Sequence, residues 1–203
     1  MRKSLACIVL CLTVICPAIA TAQQIEKPHG WTGNANLFLG VKFLEEDNWE
    51  PVDQPIEGGV FLDFRPRDWW INFAIDFLYA WDQEDVDVMD LGLGSYGVEV
   101  ESRVMELDLG VRKIWEPSEY FRPFVGGGIA IINGRIESST MGISAADDDT
   151  GYGLWVDTGL YVIFSNRFNI GIEGRWSRAE ANLFDREVQV GGFHIGAILG
   201  LHW

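Results

Sequence analysis

The sequence predicts an all-β fold, an eight-stranded antiparallel up-and-down transmembrane β-barrel, and three observations predict it. Segments of about ten residues alternate apolar with small or polar side chains, a period of two that is typical of strands. The connections between these segments alternate between long polar stretches and short turns, and an aromatic residue marks the short-turn end of each segment. A transmembrane barrel requires this pattern, because all its short turns lie on one side of the bilayer.

The first 22 residues are predicted to be a secretory signal peptide that is removed during export. Arg2 and Lys3 precede the apolar run 5–18, and the small residues 20–22 form a cleavage site. All the cysteines lie within this segment, at Cys7, Cys11 and Cys16. The mature chain therefore has no thiol for a disulfide or a cysteine-ligated metal. Lipoprotein processing at Cys16 is disfavoured because Ile15 stands where that processing prefers a small side chain.

The mature chain, residues 23–203, has the size of one domain, with a short leader at 23–30. Removal of the signal peptide lowers the formal charge from −15 to −17, which argues against a nucleic-acid partner because phosphate binding needs a basic surface. No later apolar run reaches the roughly 20 residues of a membrane helix. A strand needs only about 9–11 residues, of which half are apolar.

Eight strands are expected, and each is defined by alternation between two punctuated ends. The predicted strands are 31–44, 56–65, 69–81, 105–112, 120–132, 154–164, 169–176 and 188–203. The long polar connections are 45–55, 82–98, 133–150 and 178–187, and the short turns are 65–68, 115–119 and 165–167. Proline ends the second strand because it cannot donate to a strand ladder.

The apolar faces are the strongest part of the pattern. The third strand places Ile71, Phe73, Ile75, Phe77, Tyr79 and Trp81 on one side, a face that a soluble protein would not expose to water. Glycines at 126–128 blur the fifth strand, where we expect Val125, Ile129 and Ile131 to point outward. A soluble barrel of the lipocalin type is the alternative, in which the apolar face would point inward around a ligand.

Aromatic residues at the short-turn ends provide an independent test, because a transmembrane barrel carries an aromatic girdle at each interface. Each of the eight strand ends on that side has one. The predicted periplasmic girdle consists of Trp31, Phe64, Trp69, Trp115, Tyr120, Phe164, Phe168 and Trp203.

Three stretches resemble a known family. They are Phe121-Arg-Pro-Phe-Val-Gly-Gly-Gly128, Ile172-Glu-Gly-Arg-Trp-Ser177 and Gly200-Leu-His-Trp203. They are similar to the small outer-membrane β-barrel superfamily, which includes the outer-membrane protein A transmembrane domain and the opacity-type, porin-like proteins. The resemblance implies a bacterial outer-membrane location and a last strand that the barrel assembly machinery reads. It also implies contact with outer-membrane lipid and lipopolysaccharide.

The polar faces predict a charged interior. An eight-stranded barrel is just wide enough for side chains to fill its lumen. The inward set is Lys42, Glu57, Asp63, Asp76, Glu106, Asp108, Arg112, Asp157, Glu173, Arg175 and His194. Buried charges need partners, so we expect an ion-pair network that plugs the lumen. Acids outnumber bases in this set, which leaves a small cation-preferring pore as the alternative.

A lipid A-modifying enzyme is a further alternative, because some barrels of this family resemble deacylases or acyltransferases that use a His and a Ser. Folding strands seven and eight about loop 178–187 pairs Ser177 with Val188 and leaves His194 roughly 20 Å away from it. No dyad is expected in that register. We therefore predict no catalytic residue and no enzyme activity.

The acidic loops are not expected to bind a metal, and no cofactor is expected. Asp82–Asp90 lacks the glycine and terminal glutamate of a calcium loop, and Asp147–Asp149 is interpreted as a solvated stretch. The sequence thus favours a monomeric barrel with a plugged lumen and a structural or surface-interaction role through its acidic loops.

Overall fold

The computed structural model describes residues 30–90, 94–140, 143–164 and 167–203. The predicted signal peptide and most of the predicted leader lie outside these residues. Residues Thr32–Trp203 form one unit that contains the barrel. Among the described residues, no helix is long and apolar enough to span a membrane.

Nine strands and one short helix make up this part of the chain. They are β1 (Trp31–Phe43), α1 (Glu46–Trp49), β2 (Ile56–Pro66), β3 (Asn72–Asp90), β4 (Gly94–Ile114), β5 (Phe121–Thr140), β6 (Ile143–Phe164), β7 (Phe168–Leu183), β8 (Arg186–Gln189) and β9 (Gly192–His202).

Eight of these strands close into a barrel. Each strand from β1 to β7 pairs with the next, β7 pairs with β9, and β9 returns to β1 with a register that runs from Asn34 opposite His202 to Phe43 opposite Phe193. β8 is an additional short strand that pairs antiparallel with the C-terminal part of β7. The predicted eight-stranded antiparallel up-and-down barrel is confirmed.

The two faces of each strand differ as the alternation predicts. On β7, Ile172 is 66% exposed, whereas Arg175 is only 1% exposed. Val125 and Ile129 of β5 point outward and Ala130 is buried, so the phase predicted for this strand is correct at these positions. The apolar face therefore surrounds the barrel, which is the opposite of the lipocalin-type alternative.

Three of the four predicted long loops are instead strands. β3 and β4 continue their ladder to Asp90 opposite Gly94, β5 and β6 continue to Thr140 opposite Ile143, and β7 forms a hairpin with β8. A strand ladder is held together by backbone hydrogen bonds and does not require apolar side chains. A hairpin that is mostly polar therefore shows no apolar alternation from which its strands could be predicted. We call this end of the barrel the hairpin end and the opposite end the short-turn end.

The predicted pairing of the last two strands was wrong by four residues. Ser177 lies opposite Gly192, and Arg175 lies opposite His194. The turn that sets this register is Phe184-Asp185, whose φ angles are 51° and 59°. Two residues with positive φ make a tight hairpin turn, but such turns usually carry Asn-Gly, so Phe184-Asp185 could not be recognised as a turn from its residue types. Val188, predicted to begin the last strand, belongs to β8.

The predicted girdle residues lie at or next to the strand ends on the short-turn side. Trp69 and Phe64 both contact Phe73, with ring centroids 5.5 and 5.9 Å apart. Most members are exposed, namely Trp31, Trp69, Trp115, Tyr120, Phe164, Phe168 and Trp203, and Phe64 is partly buried. Trp69, Trp115, Tyr120 and Trp203 lie just outside the strands, because β3 begins at Asn72, β4 ends at Ile114, β5 begins at Phe121 and β9 ends at His202.

Candidate functional site

The barrel interior collects the charged side chains that the sequence places on the inner faces. All eleven predicted members have relative exposures of 3% or less. They are Lys42, Glu57, Asp63, Asp76, Glu106, Asp108, Arg112, Asp157, Glu173, Arg175 and His194. Their parity within each strand directs them inward, and closure of the barrel brings them together.

Two guanidinium groups occupy the middle of this interior. Arg112 of β4 contacts Asp157 and lies 2.7 Å from Asp76 Oδ2. Arg175 of β7 contacts Asp108 and lies 2.5 Å from the same Asp76 oxygen. Asp76 thus bridges the two arginines, and the planar, multidentate guanidinium suits such bridging better than an ammonium would.

Further carboxylates surround the two arginines. Glu173 Oε1 lies 2.9 Å from Arg175 Nη2, and Asp63 Oδ2 lies 3.7 Å from Arg112 Nη1. Asp63 also accepts hydrogen bonds from the side-chain amides of Asn34 and Asn72. Because these charges are removed from water, each pairing offsets a large desolvation cost.

Aromatic rings enclose the guanidinium pair. The Arg175 guanidinium lies 4.7 Å from the centroid of Phe61 and 4.8 Å from that of Trp155, and Arg112 lies 5.2 Å from Phe124. Cation–π contacts of this kind gain strength when desolvated. Gly126 lacks the Cβ that would lie 2.5 Å from the Asp157 carboxylate, so it leaves room for the acid.

A second polar layer lies toward the hairpin end. Lys42 Nζ donates to Glu106 Oε2 at 2.7 Å, and His194 Nδ1 lies 2.8 Å from Glu57 Oε2. Ser177 joins the two pairs, because its Oγ lies 3.1 Å from His194 Nε2 and 3.2 Å from Glu106 Oε2. These five side chains connect five strands of the barrel.

The predicted separation of Ser177 and His194 was therefore wrong. The four-residue shift in register places them within hydrogen-bond distance, and Glu57 on the other ring nitrogen completes a Ser–His–Glu chain of contacts. All three side chains are fully buried or nearly so. Ser177 has the same strand parity as Glu173 and Arg175, which would have assigned it to the interior.

The segment between β1 and β2 closes the hairpin end of the barrel. Trp49, at the end of α1, is 1% exposed and packs with Leu44, Val188, Val190 and other apolar residues. Its indole N–H donates to the Gln189 carbonyl at 2.8 Å, and Ser102 Oγ donates to the Val52 carbonyl at 3.2 Å. Sequence reasoning treated this segment as a loop and did not predict that Trp49 would fill the barrel end.

The interior carries more acid than base. Seven carboxylates face two arginines and one lysine, besides His194. Oxygens of several acids accept no hydrogen bond from the described residues, including Asp76 Oδ1, Asp108 Oδ1 and Glu173 Oε2. Among the described residues, no group of three or more His, Cys, Asp or Glu is arranged to hold a metal ion.

Comparison with known proteins gives structural relatives only. No family model matches the sequence, and no curated protein matches it. The structure is similar to Ail, the attachment invasion locus protein of Yersinia pestis, in complex with the heparin analogue sucrose octasulfate. The TM-score is 0.58 at 15% identity, over 86% of this chain and 99% of Ail. Neisserial surface protein A matches with a TM-score of 0.50 at 13% identity, over 88% of this chain and 100% of that protein.

The chain has the fold of the small outer-membrane barrels. A second structure of Ail supports this with a TM-score of 0.50 at 15% identity. At such identities the likeness concerns the path of the chain and not its ligands.

Proposed function

We propose that the protein is an integral outer-membrane β-barrel of a Gram-negative bacterium, with a lumen plugged by side chains and a structural or surface-interaction role. The observation that carries this proposal is the pairing of an apolar outer face with a fully buried, charged interior. In water this arrangement would expose a continuous apolar band and bury charges at great cost. In a bilayer the band faces lipid, and the interior is sealed from it.

The proposed plugged lumen is supported by the side chains that fill the middle and both ends of the barrel. The arginine–carboxylate cluster occupies the middle of the barrel. The Lys42–Glu106 and His194–Glu57 pairs lie between this cluster and the hairpin end, which Trp49 closes. The asparagines around Asp63 lie toward the short-turn end. An ion would have to displace several of these contacts to pass through.

The partners follow from the surfaces. The outer face suits membrane lipid and lipopolysaccharide, and the last strand β9 suits the barrel assembly machinery. The extended β3–β4 and β5–β6 hairpins are rich in acidic residues and suit a surface-interaction role. We assign the protein as a monomer with no nucleic-acid partner, a cleaved signal peptide, no cofactor and no metal.

A small cation-preferring pore is the second candidate, and the acid excess of the interior favours it. Seven carboxylates against three permanent cations would attract cations into any open path. The plugged barrel and the pore differ in one measurable property, the conductance of a single refolded barrel.

Enzyme activity is not part of the proposal, despite the Ser177–His194–Glu57 contacts. A nucleophile and base within hydrogen-bond reach satisfy only the first requirement of acyl transfer. Ser177 is fully buried beneath the Trp49 segment, and its hydroxyl also lies 3.2 Å from Glu106, which Lys42 holds in an ion pair. We assign these contacts to the structural network.

Membrane fractionation tests the proposal. The protein is expected in the outer-membrane fraction of the native bacterium, and the unheated protein is expected to migrate faster on a detergent gel than the heated one. Added protease should cut the hairpins and leave the barrel strands intact. Recovery in the soluble periplasmic fraction, or complete digestion in native membranes, would contradict the proposal.

A further inference from the structure

The middle of the barrel holds more acids than its two arginines can balance. Five carboxyl groups lie within 4.0 Å of Arg112 or Arg175, and each belongs to a residue with a relative exposure of 3% or less. They are Asp63, Asp76, Asp108, Asp157 and Glu173. If all five groups were ionised, three negative charges would have no counter-charge. Burial of an unpaired charge is costly, so this excess calls for a positively charged ligand.

The two oxygens of each carboxyl group differ in their contacts. One oxygen accepts a hydrogen bond from an arginine or, in Asp63, from the side-chain amides of Asn34 and Asn72. The other oxygen is shielded from solvent and accepts no hydrogen bond from the described residues. These second oxygens are Asp63 Oδ2, Asp76 Oδ1, Asp108 Oδ1, Asp157 Oδ1 and Glu173 Oε2. A buried acceptor without a donor is unfavourable, whereas a protonated oxygen carries a donor of its own.

The neighbouring side chains do not supply the missing positive charge. The Lys42 ammonium lies 2.7 Å from Glu106, and the His194 ring lies 2.8 Å from Glu57, so both are paired within their own layer. Tyr161 of β6 is also buried in the interior, and its phenol is not a cation. In the part of the chain that the structure describes, acidic and histidine side chains are not grouped as a metal ion requires. A proton needs only one oxygen, so it is the cation that this geometry accommodates.

The two arginines couple the five carboxyl groups to one another. Asp76, Asp157 and Glu173 each lie within 4.0 Å of both guanidinium groups, so the charge of one carboxyl group affects the others. Ionisable groups that interact in this way titrate as a unit. A proton bound here therefore belongs to the cluster and not to one residue.

We propose that this cluster binds about three protons at neutral pH, one for each carboxyl group in excess of the arginines. The bound protons make the middle of the lumen neutral, so that it attracts no mobile cation despite its acidic composition. The inference rests on the proposed plugged lumen, because a water-filled lumen would admit cations that balance ionised carboxylates.

Proton uptake during refolding tests the proposal. At about pH 8 the carboxyl groups of the unfolded chain are ionised, because their ordinary pKa values are about 4. The refolding chain is therefore expected to take up about three protons, measured with a pH-sensitive dye in weakly buffered detergent solution. Asp63→Asn should reduce the uptake by about one proton, because it removes one acid and leaves both arginines in place. Equal uptake by the two proteins would overturn the proposal.

Asp148→Asn is the matched control. Asp148 lies on the β5–β6 hairpin, is exposed and faces Arg135 at 3.6 Å, so this variant removes the same chemical group from outside the cluster. Its proton uptake should equal that of the unmodified protein. A reduction as large as that of Asp63→Asn would show a general charge effect and overturn the assignment to the cluster.

Infrared spectroscopy of the folded protein gives a second readout, in a detergent that contains no carbonyl group. The C=O stretching band of protonated carboxyl groups is expected at neutral pH, and Asp63→Asn should weaken it by about one third. Carboxylate bands alone in the unmodified protein would overturn the proposal, so the test stands even if Asp63→Asn does not fold. A heat-dependent gel shift shows that each barrel is intact.

The proposed function and the bound protons fail in different experiments. A barrel that does not conduct ions and takes up no protons would overturn the inference and leave the plugged lumen standing. A barrel that conducts cations would contradict the plugged lumen itself.

Discussion

Arg175 is buried among four carboxylates, so it is the residue at which the interior network can be tested most sharply. Its ion-pair partners are Asp76, Asp108, Asp157 and Glu173. Breaking a buried ion pair by removing one partner leaves uncompensated charge and costs about 3–5 kcal/mol. Arg175→Met should lower the free energy of unfolding by that amount, as measured by denaturant titration in detergent micelles at neutral pH.

Arg135→Met is the control for this change. Arg135 lies on the β5 hairpin, is partly exposed and pairs with Glu137 at the surface, so we expect a change of less than about 1 kcal/mol. The double variant Arg175→Met/Asp108→Asn should recover part of the loss, because it removes one of the stranded charges. Equal effects of Arg175→Met and Arg135→Met would show that the interior charges do not form the network described above.

Asp149 gives a prediction for pH. Its carboxylate accepts a hydrogen bond from the Asn182 backbone N–H at 2.7 Å, and this contact lowers the pKa of Asp149. The bond favours the folded hairpin when the carboxylate is charged. It is fully present above the ordinary aspartate pKa of about 3.9 and is lost as the pH falls through the lowered folded-state value.

Hydrogen exchange of the Asn182 amide measures this contact. Protection relative to Asp149→Asn should be unchanged from neutral pH down to about pH 4 and should disappear below it. Asp148→Asn is the control, since Asp148 faces Arg135 and not the β7–β8 hairpin. Protection that is independent of pH down to the unfolding limit would contradict the role of Asp149.

Among the elements, the segment between β1 and β2 matters most for closure of the barrel. Truncating a buried Trp to Ala costs about 3–5 kcal/mol in a packed core. Trp49→Ala should therefore release this segment and speed cleavage at Glu45 or Glu50 by a glutamate-specific protease at least roughly tenfold. Trp70→Ala, at an exposed site of the short-turn end, should leave the cleavage rate unchanged. Equal rates in both variants would show that Trp49 does not hold the segment.

The barrel strands were predictable because a bilayer demands alternation. Residues such as Ile172 and Arg175 must face opposite media, and a period of two records that demand in the sequence. Polar residues dominate the distal hairpins, so 82–90, 94–98, 133–140 and 143–150 have no sustained apolar alternation although they form strands. The period of two in the sequence therefore predicted the strands that have one apolar face and missed the paired strands of the hairpins.

The sequence pattern also predicted which charged residues point into the barrel, but it did not predict which of them contact one another. Parity assigned Lys42, Glu106 and His194 to the lumen, but which of them meet depends on register. The register of β7 and β9 is set by the Phe184-Asp185 turn, which lacks the glycine that usually marks such a turn. The Ser177–His194 contact was missed for that reason, and the Trp49 closure was missed because tertiary packing produces it.

In the whole molecule, the outer and inner surfaces of the barrel differ in chemical character. The outer face is apolar and the interior is charged and buried, and under the proposed function the first meets lipid while the second fills the lumen. We propose that the interior is closed to ions. The acid excess of the interior makes conductance the deciding property, because a hydrated, negatively charged path would conduct cations.

Single-channel recording from refolded protein in a planar lipid bilayer tests whether the interior is closed. We predict that insertion of the unmodified protein produces no steady conductance steps in potassium chloride, because side chains fill the lumen at every level and Trp49 closes the hairpin end. Steady, reproducible steps with a preference for cations would contradict the plugged barrel and establish the pore.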